Sequence, residues 1–287
     1  MKPAASPLLA FFLALVLAGC CAACSDAASL DEGLPAQDGV GQGQSFPQIA
    51  VFTSLPIFFG ESDDIAASLL DEAPAHWALA ALQDLAGEVR PLDTLAGLDR
   101  ADGARGADVL LLIQPRALSA GENLALDRWV RGGGALVLFA DPMLDPHSIF
   151  APGDPRRPRD VALLSPILAR WGLELFYDAA QDPAERRVAL PEGALPVRLA
   201  GHFAPLGTDG GGASGKRGDG APIAAQASGD GAGRCRFEAQ GLIARCRIGK
   251  GRVLLVADAS LFENPVADAS GRAGLLQGLI ARIAPSR

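Results

Sequence analysis

The chain has 287 residues, 49% apolar and 20% charged, with a formal net charge of −8. That apolar content supports a large buried core, in one large domain or two small ones. No basic face is visible: the densest positive run, Pro155-Arg156-Arg157-Pro158-Arg159, is short, proline-broken and flanked by Asp154 and Asp160. It reads as a solvated loop, and nucleic acid is excluded as a partner.

Residues 1–20 have the layout of a secretory signal. Lys2 leads, an apolar run from Leu8 to Leu17 follows, and then come small residues where a peptidase needs a narrow side chain. Leu17-Ala18-Gly19-Cys20 resembles a bacterial lipobox. The resemblance implies that Cys20 becomes the acylated first residue of a mature lipoprotein. Such a chain lives on a membrane and not in it. It is expected at the cell envelope, on the periplasmic side of the outer or inner membrane. Two other readings stay open. Cleavage after Ala23 or Ala28 would release a soluble protein. Alternatively, residues 3–23 carry no charge and are about long enough to span as a helix, although Pro3 and Pro7 argue against it.

Residues 21–46 read as a flexible tether, and Ser25 to Ser45 hold almost no large apolar side chain. About 20 residues of this type have an r.m.s. reach of roughly 25 Å. Cys21-Ala-Ala-Cys24 has redox-motif spacing but no strand before it or helix after it.

Residues 47–287 form the predicted domain. Gln48 to Thr53 is a first strand, and Ala75 to Ala86 a helix with Trp77, Leu79, Leu82 and Leu85 at helical spacing. Glu88 to Leu92 contains Pro91 and suits a sheet edge. Asp108 to Gln114 and Ala135 to Ala140 are apolar on both faces, as central parallel strands are. Between them Ser119-Ala-Gly-Glu122 is a capping box opening a helix that Gly132-Gly133-Gly134 stops. A helix from Ser165 to Trp171 leads into a strand from Leu173 to Tyr177. Thr208 to Gly233, mostly Gly, Ala, Asp and Ser, reads as a mobile insertion. A hairpin follows, then a central strand from Arg252 to Ala257 and a closing amphipathic helix from Ala273 to Ile283. Alternating strands and helices predict an α/β fold, a mainly parallel sheet with helices on both faces.

A two-residue turn at Gln240-Gly241 sets Cys235 directly opposite Cys246 in the hairpin, as a hydrogen-bonded pair. An exported compartment permits disulfides, so these two are expected to be bonded.

Catalytic signals are few. Gly210 to Lys216 nearly matches a P-loop, but Arg217 stands where the magnesium ligand belongs, and neither strand nor helix flanks it. No Gly-x-Ser-x-Gly or Gly-x-Cys-x-Gly elbow occurs. His76, His147 and His202 are scattered, without metal-ligand spacing. No catalytic residue, metal or cofactor is assigned. One constellation remains, because ligands of open parallel sheets bind beyond the carboxyl ends of the strands. Thr53, Ser54, Gln114, Arg116, Asp141, Asp258 and Ser260 fall there and form the candidate ligand cleft. The competing reading is that these Asp and Ser residues cap the turns that follow.

The run Asp108-Val-Leu-Leu-Leu-Ile-Gln-Pro-Arg-Ala-Leu-Ser119, continued by Glu122 to Asp141-Pro142, resembles the auxiliary domain of gliding-motility-type ABC transport systems. Phe52-Thr-Ser-Leu-Pro56, Leu168-Ala-Arg-Trp-Gly172 and Gly251-Arg-Val-Leu-Leu-Val-Ala-Asp258 carry the same resemblance. It implies a class I glutaminase-like fold without the catalytic cysteine, and an accessory or binding role beside ABC transporter subunits. The chain departs from that pattern in carrying a lipobox instead of flanking membrane helices. The rival expectation is a small-molecule hydrolase of the same fold that uses Asp141 and Asp258.

Overall fold

The computed structural model describes residues 47–61, 76–86, 88–98, 107–207, 233–263 and 268–284. The expected signal with Cys20, the tether with Cys21 and Cys24, and the insertion up to residue 232 lie outside the described residues. The P-loop-like tract at 210–216 lies outside them too.

In chain order the elements are β1 (Gln48–Thr53), α1 (Trp77–Leu85), β2 (Glu88–Pro91), β3 (Val109–Ile113), α2 (Ala120–Gly132) and β4 (Ala135–Phe139). Next come α3 (Ser165–Arg170), β5 (Leu173–Tyr177), β6 (Arg186–Leu190), β7 (Gly193–Val197) and β8 (Gly201–Pro205). The last are β9 (Arg234–Glu238), β10 (Ile243–Ile248), β11 (Gly251–Val256) and α4 (Ala269–Ala281).

Seven strands form one sheet in the order β2-β1-β3-β4-β11-β10-β9. The neighbours from β2 through β11 are parallel, and the β11-β10-β9 end is antiparallel. Every residue of β3 and β4 is buried. Successive strand residues point to opposite faces, so both faces of the sheet centre are covered. Each such Leu, Val or Ile contributes about 1.5–3 kcal/mol on burial. Pro91 places β2 at the sheet edge, as expected, because proline has no N–H for a second neighbour.

Helix α2 starts where the capping box predicts. Ser119 Oγ accepts from the Glu122 amide at 3.2 Å, and Glu122 Oε2 accepts from the Ser119 amide at 2.9 Å. It ends at Gly133, whose φ of 128° suits glycine. The helix then lies close on β11: a Cβ added at Gly251 would sit 2.0 Å from the Val130 carbonyl oxygen. Trp171, fully buried, donates from Nε1 to Asp127 Oδ1 at 3.0 Å and so ties α3 to α2. On the other helix pair, α1 packs against α4.

The ladders β5-β8 and β6-β7 are separate two-stranded antiparallel sheets. The strand expected at Leu173 to Tyr177 exists as β5 but pairs outside the main sheet. Helix α4 begins at Ala269, four residues before the expected start.

Cys235 faces Cys246 in the β9-β10 ladder and is bonded to it. The predicted hydrogen-bonded parity is corrected. The ladder closes at Glu238↔Ile243, so Ala239 to Leu242 form the loop, with positive φ at Ala239, Gln240 and Gly241. A loop two residues longer about the same centre keeps the partners and exchanges the two pair classes. The Cα separation of 4.1 Å belongs to the closer, non-hydrogen-bonded class.

Candidate functional site

Strands β1, β3, β4 and β11 deliver their carboxyl ends side by side. β4 and β11 run in register, with Phe139 opposite Val256. Asp141 and Asp258, each two residues on, therefore emerge at adjacent strand ends. Gln114 follows β3 with φ of 42°, and Ser54 follows β1.

These side chains are engaged with the segment that covers the strand ends. Gln114 is fully buried. Its Oε1 accepts from the Asp141 amide at 2.8 Å, and its Nε2 donates to the carbonyls of Asp141 at 3.1 Å and Arg159 at 2.8 Å. Ser54 Oγ donates to the Gln114 carbonyl at 2.6 Å and accepts from the Arg159 amide at 3.1 Å. The loop closes on itself through Ala162 N–H to the Asp141 carbonyl, 2.9 Å, and Leu144 N–H to the Asp160 carbonyl, 2.8 Å. The stretch around Arg159 thus sits over the ends of β1 and β3.

Asp141 Oδ1 accepts from the Met143 amide at 2.8 Å, and its Oδ2 accepts from the Ala259 amide at 3.0 Å. Asp258 Oδ1 accepts from the Ser260 amide at 2.7 Å, and its Oδ2 accepts from the Arg198 amide at 2.9 Å. Both carboxyls are at most 1% exposed. Burial pushes Asp141 up to about 7, against the pull of its two amide donors. Burial, and then the charge of Asp141, raise Asp258 well above the carboxylate range. Charge on one disfavours charge on the other.

The remaining candidates lie at the margins. Thr53 Oγ1 accepts from the Leu55 amide at 2.9 Å. Ser260 is buried, and it meets Asp258 through its main-chain amide. Arg116 is turned away from the acid pair. It grips Glu122 with Nη1 to Oε2 at 2.9 Å and Nη2 to Oε1 at 2.7 Å, and its guanidinium lies 5.0 Å from the Phe52 ring centre. The Arg116 hydrogen bonds hold the Glu122 carboxyl far below its usual range.

Four residues that the sequence did not single out as site residues complete the neighbourhood. Arg198 Nη2 bonds Glu263 Oε1 at 3.0 Å. Buried Arg272 donates through Nη1 to the Ser260, Leu261 and Glu263 carbonyls. His76 caps α1, taking the Ala78 amide on Nδ1 at 3.1 Å with Nε2 3.3 Å from the Phe262 carbonyl. No signal short of the fold links these residues, which come from separate segments. Among the described residues, no group of three or more His, Cys, Asp or Glu could hold a metal ion.

Chemically, two buried carboxyls with raised pKa at adjacent strand ends could share a proton. Their oxygens, however, are occupied by main-chain amides that fix the 141–143, 198 and 259–260 turns.

Residues 48–202 match the model of a family described as an ABC-type uncharacterized transport system. Among solved structures, the chain is similar to exo-beta-1,4-mannosidase Op5Man5 from Opitutaceae bacterium strain TAV5, at 13% identity and TM-score 0.44, covering 85% of this chain and 37% of that one. It is similar to a beta-galactosidase from Bacillus circulans sp. alkalophilus, at 14% and 0.40, covering 83% and 32%. It is also similar to the mmIFT52 N-terminal domain, at 10% and 0.44, covering 84% and 98%. The chain spans about a third of the length of the two glycosidases. At these scores the likenesses carry no argument about activity. No curated protein sequence matches the chain.

Proposed function

The chain belongs to this family of ABC-type transport-system auxiliary proteins, and on that premise we propose that it is a non-catalytic accessory module of such a system. It binds transporter subunits, carries a glutaminase-like domain and is held at the envelope by a lipid on Cys20. The observation that carries the non-catalytic part is the engagement of Asp141 and Asp258. Each buried carboxyl accepts two main-chain amides, which is what a carboxyl does when it shapes a turn. A catalytic acid needs an oxygen within reach of a substrate.

The test has three readouts. Full-length protein captured from native membranes should carry ABC-type subunits in fixed ratio, absent from a tag-only control. Cys20→Ala should remove a metabolically labelled acyl chain and shift the protein out of the membrane fraction. A panel of small-molecule ester and amide substrates should give no turnover.

The hydrolase reading draws on the placement of the acid pair: Asp141 and Asp258 are buried at adjacent strand ends, and burial raises both carboxyls above their usual range. Hydrolysis that is abolished by Asp141→Asn or Asp258→Asn in a chain that stays folded would replace the accessory reading with it.

A further inference from the structure

The fold creates a basic face that the linear sequence hides. The β9-β10 ladder sets Arg234 opposite Arg247 and Arg236 opposite Arg245, and β11 sets Arg252 opposite Arg247. Residues directly opposite one another project from the same face of a sheet. Five guanidinium side chains therefore share one face, rooted within about 7 by 10 Å of sheet. Four are exposed and Arg252 is half-buried. None of the five forms an ion pair among the described residues. Arg247 Nη1 reaches only the Lys250 carbonyl, at 3.4 Å. Glu238, on the same face of β9, is taken up by Arg282 Nη1 at 2.7 Å.

Like charges set directly opposite one another are unfavourable. Protection of the sheet edge accounts for Arg234 and Arg236 at most. Strand β9 is at the end of the sheet, but β10 and β11 are interior, and arginines there cannot discourage edge-to-edge pairing. A cationic face kept on a chain of net charge −8 suits an anionic partner.

Register shows where this face lies. Arg252 is level with Ala135, Ala135 with Val109, and Val109 with Ile49. Arg234, Arg247 and Arg252 thus sit level with the amino end of the parallel strands, where the chain enters the sheet at Gln48, and Arg236 and Arg245 lie two residues further along, level with Leu254 and Val137. From β1 to β10 is four strand spacings, about 19 Å. A lipid on Cys20 would join the domain through Gln48, the first residue of β1.

We infer that the arginine face of β9, β10 and β11 docks on the phosphate-bearing headgroups of an anionic bilayer. This rests on the lipid-anchor reading proposed above. Guanidinium donors pair bidentately with phosphate oxygens. Each arginine held at such a surface raises partitioning about fivefold, and salt screens the effect.

The experiment uses the full-length chain with vesicles of phosphatidylcholine alone or mixed with phosphatidylglycerol. Modification of Arg236 and Arg245 by phenylglyoxal is followed by peptide mass spectrometry. The expected result is at least about fivefold slower modification on the anionic vesicles, reversed by high salt. Arg236→Gln with Arg245→Gln removes an exposed like-charged pair, and it should weaken the anionic-lipid preference about 25-fold. Equal modification rates on both vesicle types overturn the inference. So does protection by polyglutamate but not by phosphatidylglycerol, which assigns the face to an acidic polypeptide. Cys20→Ala, run with excess vesicles, separates the two proposals. If only the anchor fails, wild type and variant partition alike and the lipid-dependent protection persists. If only the docking fails, the anchor still partitions wild type while protection is the same on both lipids.

Discussion

Stability should fall as pH rises from about 4 to about 8, opposite to the trend set by carboxylates in ion pairs. Asp141 ionises at 3.8 by default and is pushed up to about 7 in the fold, chiefly by burial. Between those values the folded state keeps a proton that the unfolded chain has released. The contribution is complete below 3.8 and is lost progressively toward 7. At about 1.4 kcal/mol per pH unit, the loss is on the order of 4 kcal/mol for Asp141. Asp258, also raised, adds to it in the same sense. His76 opposes it: burial lowers its pKa, so its contribution grows as pH rises through its usual range. For a domain of this size each kcal/mol moves Tm by about 2–4 °C, so Asp141 alone should shift Tm by about 8–16 °C. The assay is a thermal or urea melt across this pH window for wild type, Asp141→Asn and Asp258→Asn. Asparagine cannot ionise, so each variant should flatten the slope. It should also melt earlier at acid pH, because its NH2 faces a main-chain N–H, at a cost of about 1–3 kcal/mol. A wild-type midpoint that is level or rising over the window, or a slope untouched by both substitutions, refutes the reasoning.

Replacing both Cys235 and Cys246 with serine should cost about 3 kcal/mol, the closure entropy of a loop this short, read as a lower denaturation midpoint. Peptide mapping of oxidised wild type should find neither residue as a free thiol. Glu122→Ala should cost about 2–4 kcal/mol in chemical denaturation. It removes the acceptor of Arg116, Thr94 Oγ1 and the Leu95 and Ser119 amides together. Glu122→Gln should recover part of this. Equal midpoints for Glu122→Ala and wild type would show that the cluster adds nothing.

The central sheet was legible because its strands leave no ambiguity of period. Val109 to Ile113 and Ala135 to Phe139 are apolar at every position, and the structure buries every one of them. The α2 start was legible because Ser119 and Glu122 satisfy each other's backbone locally. The cysteine pairing was legible because hairpin partners depend only on the turn centre. Its pair class was not, because that depends on where the loop closes. Strands β6 and β7 gave little signal: Arg186 to Leu190 has no fully buried residue, and Gly193 to Val197 contains Pro196. At the strand ends, the sequence marked Asp141 and Asp258 as polar but not what they face. Gln114 meets Arg159 across 45 residues and Ala259 meets Asp141 across 118, and no local pattern encodes that. The arginine face was hidden for the same reason. Its members are spread over three strands, and each looks like an ordinary outward residue alone.

The Cys235–Cys246 bond sits at the first strand after residues 208–232, the least apolar stretch of the domain. A strand that must find its partner after a long stretch of chain bears a closure entropy that grows with that stretch. Here Cys235 is bonded to Cys246 only eleven positions away, so the pairing of β9 is remembered locally. The crosslink thus holds β9 to β10 in one register whatever the chain does before Gly233, and a one-place slip of this edge strand would first have to break a covalent bond.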